Sequence, residues 1–294
     1  MQNGPGGITL TVGNTYTGGT TVNNGVLTVT DDTQLGAGSG GLQVNGPGVA
    51  EFESVTTSRT ITQSGTGRIT VQSGETLTLD AATIQGGTIS GPGTIEIQSS
   101  TTLDGVRIDT TAIVTLVGET TIENSTNAGV ITVPANVTAN LNSFTNESSG
   151  RITIDGTSSK AEVNEFTSNG YIEVLNGGTL KNGGASVIIL GGGSMLNIGY
   201  TESIGAGSGP VGGLGGTAAD RMGRGFVDLA DGGLQALGSA VVRNNGFIDS
   251  STEPDDLSQL HLQYGAIYLF DVNFANGLGD YVDFVSLGGT AKAM

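Results

Sequence analysis

Few residues in this chain have types and spacing suited to chemistry. Its only Asp-Asp pairs are Asp31-Asp32 and Asp255-Asp256. Two carboxylates at a set separation can cleave a glycosidic bond by acid–base or nucleophilic routes. Asp31-Asp32, however, falls in the turn after a short apolar strand, and Asp255-Asp256 follows Pro254 in a loop. Aspartates at such positions bond local backbone, so both pairs read as turn residues. The single histidine, His261, lies between Leu260 and Leu262, and strand alternation places it opposite them, facing outward. With no cysteine and no serine–histidine motif around it, neither a triad nor a zinc site is supported. Asp271, Asp280 and Asp283 could share a cation, but they read as solvated turn carboxylates. Gly215-Gly216-Thr217-Ala218-Ala219-Asp220 is a lone, poor match to a calcium-binding nonapeptide. Thr-x-Thr recurs at Thr9/Thr11, Thr28/Thr30, Thr60/Thr62 and Thr76/Thr78, and a flat threonine ladder would suit ice binding. The copies stop early, and threonine is also an ordinary exposed strand residue. The expectation is no catalytic residue, no cofactor and no metal.

Composition narrows the partners. Ten basic against 27 acidic residues give a net charge of −17 over 294 residues. Such a polyanion is repelled by phosphate backbones and anionic lipid, which argues against nucleic acid and electrostatic membrane binding. No run approaches the ~18 apolar residues of a membrane-spanning helix. Charged residues make up only 13%, so Thr, Ser and Asn supply the polar surface, while 52 glycines mark frequent turns.

The elements that would position these side chains are short strands. Gly, any residue, Ile or Val, a polar residue and an apolar one recur as Gly67-Arg68-Ile69-Thr70-Val71, Gly93-Thr94-Ile95-Glu96-Ile97 and Gly129-Val130-Ile131-Thr132-Val133. Further copies are Gly150-Arg151-Ile152-Thr153-Ile154, Gly170-Tyr171-Ile172-Glu173-Val174 and Gly225-Phe226-Val227-Asp228-Leu229. Alternation points Ile69 and Val71 inward and puts Arg151, Tyr171 and Phe226 outside. A period near 20 residues with several strands of three to five residues is a solenoid signature, since stacked coils share a core that one coil cannot close. A β-sandwich also alternates, but has no reason to repeat its corners. The expected fold is all-β, a parallel β-helix. Coils occupy 1–198, a Gly-rich inserted loop 199–224, and final coils with a cap 225–294. Residues 264–284 hold six aromatics, and there Phe270 and Phe274 share one strand parity while Val282 and Phe284 share that of a later strand. These four residues are expected to close the last coil as an aromatic cap.

The stretch Gly13-Asn14-Thr15-Tyr16-Thr17-Gly18-Gly19-Thr20-Thr21-Val22-Asn23-Asn24-Gly25-Val26-Leu27-Thr28-Val29, with a Leu35-Gly36 corner after it, resembles the passenger-associated transport repeat of autotransporters, also called the autotransporter-associated β-strand repeat. The C-terminal pair of strands is similar to the end of many autotransporter passengers. The resemblance is specific over 13–36 and general elsewhere. It implies a right-handed parallel β-helix outside the cell or on a bacterial cell surface. The N-terminus lacks the basic and apolar regions of a secretory signal, and the translocation barrel is missing, so the chain reads as a trimmed piece. Enzymes on β-helices give the contrast. Polygalacturonase-like hydrolases carry Asn-Thr-Asp, Gly-His-Gly and Arg-Ile-Lys, all absent here, and the scattered basic residues do not match the carboxylate cluster and base of pectate lyases. The functional expectation is a non-catalytic adhesion or display domain whose partners are a glycan, matrix or host-surface protein, or copies of itself. Tyr171, Phe226 and Tyr200 are the candidate contact residues, and the loop 199–224 is the candidate contact segment. The alternatives are a polysaccharide-active lyase or hydrolase, and a self-assembling surface fibre.

Overall fold

The computed structural model describes residues 1–183, 186–199, 226–228, 233–237, 239–244, 247–249, 259–263, 267–270, 272–273, 278–279 and 286–288. Across them the chain is an all-β parallel β-solenoid, built from two- to nine-residue strands and almost free of helix. Strands roughly 20 residues apart in sequence pair side by side, a spacing typical of stacked repeats. Among the described residues the antiparallel pairing is Val272–Asn273 with Leu278–Gly279, so the sandwich alternative is excluded. Two compact units divide the chain, Met1–Ile131 and Thr132–Met294.

In the first unit the Gly-x-Ile motif forms strands whose parity is the one the sequence dictates. Ile69 and Val71 of Arg68–Val71 are buried, and Arg68 is exposed. Stacking in register turns such residues into continuous columns: Val55 faces Leu77, Leu77 faces Ile95, and Ile95 faces Val114, each at most 2% exposed. Each buried aliphatic contributes about 1.5–3 kcal/mol, and a column shares that gain between coils. The leading glycine of the motif is explained by close approach. A Cβ on Gly129 would meet the carbonyl oxygens of Asp109 and Ala112 in the coil beneath.

In the second unit two strands run to nine residues, Thr138–Asn146 and Lys160–Ser168, longer than the three to five expected. Each takes a corner without ending, because one residue adopts a left-handed backbone, Ser143 at φ 47° and Glu165 at φ 51°. That single residue shifts the parity, so Leu141 and Phe144, with two residues between them, both point inward. The corners stack: Ser143 donates to Glu165 at 2.5 Å, and the Phe144 and Phe166 rings lie parallel at 6.1 Å. On both sides of the expected inserted loop the pairing is parallel, Thr179 with Phe226 and Met195 with Val241. Residues 200–225 lie outside the described residues. So do Phe274, Val282 and Phe284 of the expected cap; Phe270 ends the strand Ile267–Phe270, which pairs with Val241–Asn244.

Candidate functional site

In the first unit the Asp31-Asp32 pair is absorbed by structure. The segment forms a short 3-10 helix, Asp32–Leu35, where the sequence suggested a plain turn. Asp31 is its N-cap. Its carboxylate accepts from the Thr33 backbone N–H at 2.8 Å and hydroxyl at 2.5 Å, while Gln34 Oε1 accepts from the Asp31 backbone N–H at 3.3 Å, completing a capping box. The Thr33 hydroxyl and then the Thr33 amide hold the Asp31 carboxyl below its ordinary range. Asp32 is engaged by Arg59, whose Nε donates to Oδ1 at 2.7 Å. Arg59 is 2% exposed and spends its remaining donors on backbone: Nη1 on the carbonyls of Ala37 and Gly40 at 2.7 and 2.6 Å, Nη2 on those of Asp32 and Gly36 at 3.0 and 2.8 Å. A buried guanidinium needs such saturation. Neither aspartate is positioned as an acid–base pair.

In the second unit the outward face of the strands Arg151–Asp155, Tyr171–Leu175 and Met195–Gly199 carries the expected aromatic. Register places Tyr171 between Arg151 and Met195, and Glu173 between Thr153 and Asn197. The Arg151 guanidinium carbon lies 4.8 Å from the Tyr171 ring centroid, within cation–π range. Glu173 ties the group together: it accepts from Arg151 Nη2 on one oxygen and from the Tyr171 hydroxyl at 3.0 Å on the other. Burial first, and then the Glu173 carboxylate, raise the Tyr171 phenol above its ordinary value, while Arg151 and Asn197 oppose the shift. The result is a half-buried ring fixed on a strand face, with a cation on one side and Met195, 37% exposed, on the next rung. It can stack on a flat apolar surface and exchange hydrogen bonds at its rim.

The other expected contact residues do not join it. Phe226 lies on a strand of the other large sheet, paired with Thr179 and Phe247. Tyr200 lies outside the described residues, as do Asp255-Asp256, Asp271, Asp280 and Asp283. His261 is on the strand Gln259–Gln263, opposite Gln235 and Ser286. Among the described residues no three acidic, histidine or cysteine side chains form a metal-binding group, and no helix is long and apolar enough to cross a membrane. Sequence reasoning missed Arg151 and Glu173 as partners of Tyr171. Aligning the two copies Gly150-Arg151-Ile152-Thr153-Ile154 and Gly170-Tyr171-Ile172-Glu173-Val174 would have found them, since register stacks them position by position.

No family model matches the chain. No curated protein matches it either. Among solved structures the chain is similar to the crystal structure of a TibC-catalyzed hyper-glycosylated TibA55-350 fragment. The likeness is at 13% identity and a TM-score of 0.26, covering 90% of this chain and 92% of that one.

Proposed function

We propose that this chain is a non-catalytic, extracellular β-solenoid of the autotransporter passenger type, serving adhesion or display at a bacterial surface. Its partners are a glycan, a matrix or host-surface protein, or copies of itself. The observation that carries the reading is the Arg151–Tyr171–Glu173 rung, a ring locked on a strand face by a cation and a carboxylate. A rigid aromatic with polar neighbours is the chemistry of sugar stacking and of protein hot spots, and it loses little conformational entropy on binding. The transport-repeat resemblance of residues 13–36 supports the surface location. The test is binding of the purified chain to arrays of glycans and matrix proteins, and to mammalian cells. The expected result is retention by at least one surface and about tenfold weaker retention after Tyr171→Ala, with an unchanged melting temperature. Equal retention by the variant would remove Tyr171 from the contact surface. Turnover of a polyuronate by the intact chain, abolished by an Asp→Asn change, would overturn the non-catalytic reading.

A further inference from the structure

A second surface feature lies within the first unit, where register opens a gap in a regular face. On the outward side of successive coils, Thr121, Thr102, Thr83 and Thr60 stand opposite one another in a single column. Just before the paired positions Leu42–Ile61 and Thr20–Leu42 lie Gly41 and Gly19, held together by the Thr20 N–H to Gly41 carbonyl bond at 2.9 Å. Here the threonine column gives way to an open groove of about 490 Å³, lined by backbone at Gly18–Gly19 and Gly40–Gly41. Its walls are Thr21, Gln43 and Thr62 along one edge, which pair in register, and Thr17, Ser39 and Thr60 around the other. The volume falls within the ~300–1,000 Å³ range of small-molecule sites.

The lining is hydroxyl, amide and backbone, with no charged side chain. The floor is braced from beneath: the buried Arg59 holds the Gly40 carbonyl at 2.6 Å, so the groove is fixed before any ligand arrives. A groove of this kind offers many neutral donors and acceptors and no counter-charge. The net charge of −17 repels acidic sugars from it. We propose that this groove binds a neutral oligosaccharide, lying across the coils so that its hydroxyls meet Thr21, Gln43 and Thr62. The assignment deepens the adhesive reading and rests on it, but at a site separate from Tyr171.

Gly18 supplies the test. It has no left-handed φ, and a Cβ there would meet nothing within 4 Å. Gly18→Phe therefore fills the groove with little demand on the fold. Gln43 is outward and exposed, so Gln43→Ala removes a wall amide and serves as a second variant. The probes are cellohexaose, maltohexaose, laminarihexaose and chitohexaose, with hexagalacturonate as the acidic comparison, measured by saturation-transfer NMR and calorimetry on the whole chain. The proposal expects at least one neutral hexasaccharide to bind, hexagalacturonate to bind more weakly, and Gly18→Phe to weaken binding tenfold or more without moving the melting temperature. Gln43→Ala is expected to weaken it by a smaller factor. Wild-type affinity in Gly18→Phe, no binding of any neutral hexasaccharide, or equal binding of hexagalacturonate would each overturn the groove assignment. Loss in Tyr171→Ala with retention in Gly18→Phe would overturn it too, while leaving adhesion through Tyr171 standing.

Discussion

Arg59 is the residue on which the first unit's corner depends. It is buried with a charged partner and four carbonyls held at 3.0 Å or less. Removing one member of such a set leaves the others desolvated and unpaired, which costs about 3–5 kcal/mol. Arg59→Met is expected to lower stability by that amount in urea unfolding, and Asp32→Asn by less, because the Asp32 side chain is 25% exposed and water replaces the lost partner. Tyr171 gives a spectroscopic prediction. Its phenol titrates above the ordinary 10.0 because burial and Glu173 disfavour the phenolate. A folded pKa raised above the unfolded one contributes stability that is complete below the unfolded value and is lost as pH rises through the folded one. Tyr171 is therefore expected to ionise late in an absorbance titration at alkaline pH, and Tyr171→Phe to remove that late contribution.

At the scale of elements, the motif glycines and the bent strands make separate predictions. A Cβ on Gly170 would overlap the carbonyl oxygens of Glu147 and Gly150, and packed backbone cannot yield as a flexible side chain can. Gly170→Ala is expected to cost about 2 kcal/mol or more, although alanine normally favours order over glycine. Phe166→Ala removes one ring of the corner stack and is expected to cost about 3–5 kcal/mol, measured the same way. These elements also show what the sequence disclosed. The alternation in Gly67-Arg68-Ile69-Thr70-Val71 and its copies specified strand faces directly, because a strand has period two. The corner at Ser143 and Glu165 was hidden, since nothing local distinguishes a serine or glutamate about to adopt a left-handed backbone. Tyr171 was legible as an outward aromatic. The groove was not, because it exists only where Gly19 and Gly41 fall side by side, and pairing partners cannot be read from one strand alone. The same holds for Arg59 and Asp32, which are joined only through the stacking of coils.

The whole molecule is governed by sparse, predominantly negative charge. Its isoelectric point near 4.1 means that acidification removes the repulsion between copies. Asp31 responds in the same range. Its folded pKa is depressed, so its contribution is present above the ordinary 3.8 and disappears as pH falls through the folded value. Static light scattering is therefore expected to rise as pH approaches 4, before circular dichroism reports loss of structure. Truncation tests the organisation. The strands Gln259–Gln263 and Ile267–Phe270 cover the edges of Gly233–Ala236 and Val241–Asn244, and an uncovered edge invites association. Deleting residues 255–294 is expected to give aggregated protein in size-exclusion chromatography. Replacing 199–224 by a short turn is expected to leave a monodisperse, folded chain.

The Arg59 clamp also has a temporal consequence. The corner at residues 32–40 holds itself only in part, through the Asp31 capping box and the Gly40 N–H to Ala37 carbonyl bond at 2.8 Å, and its Gly36 and Gly40 carbonyls are met by a side chain some twenty residues later. A chain synthesised from its N-terminal end therefore completes this corner only after residue 59 has been added. At this corner the order of synthesis thus becomes an order of assembly.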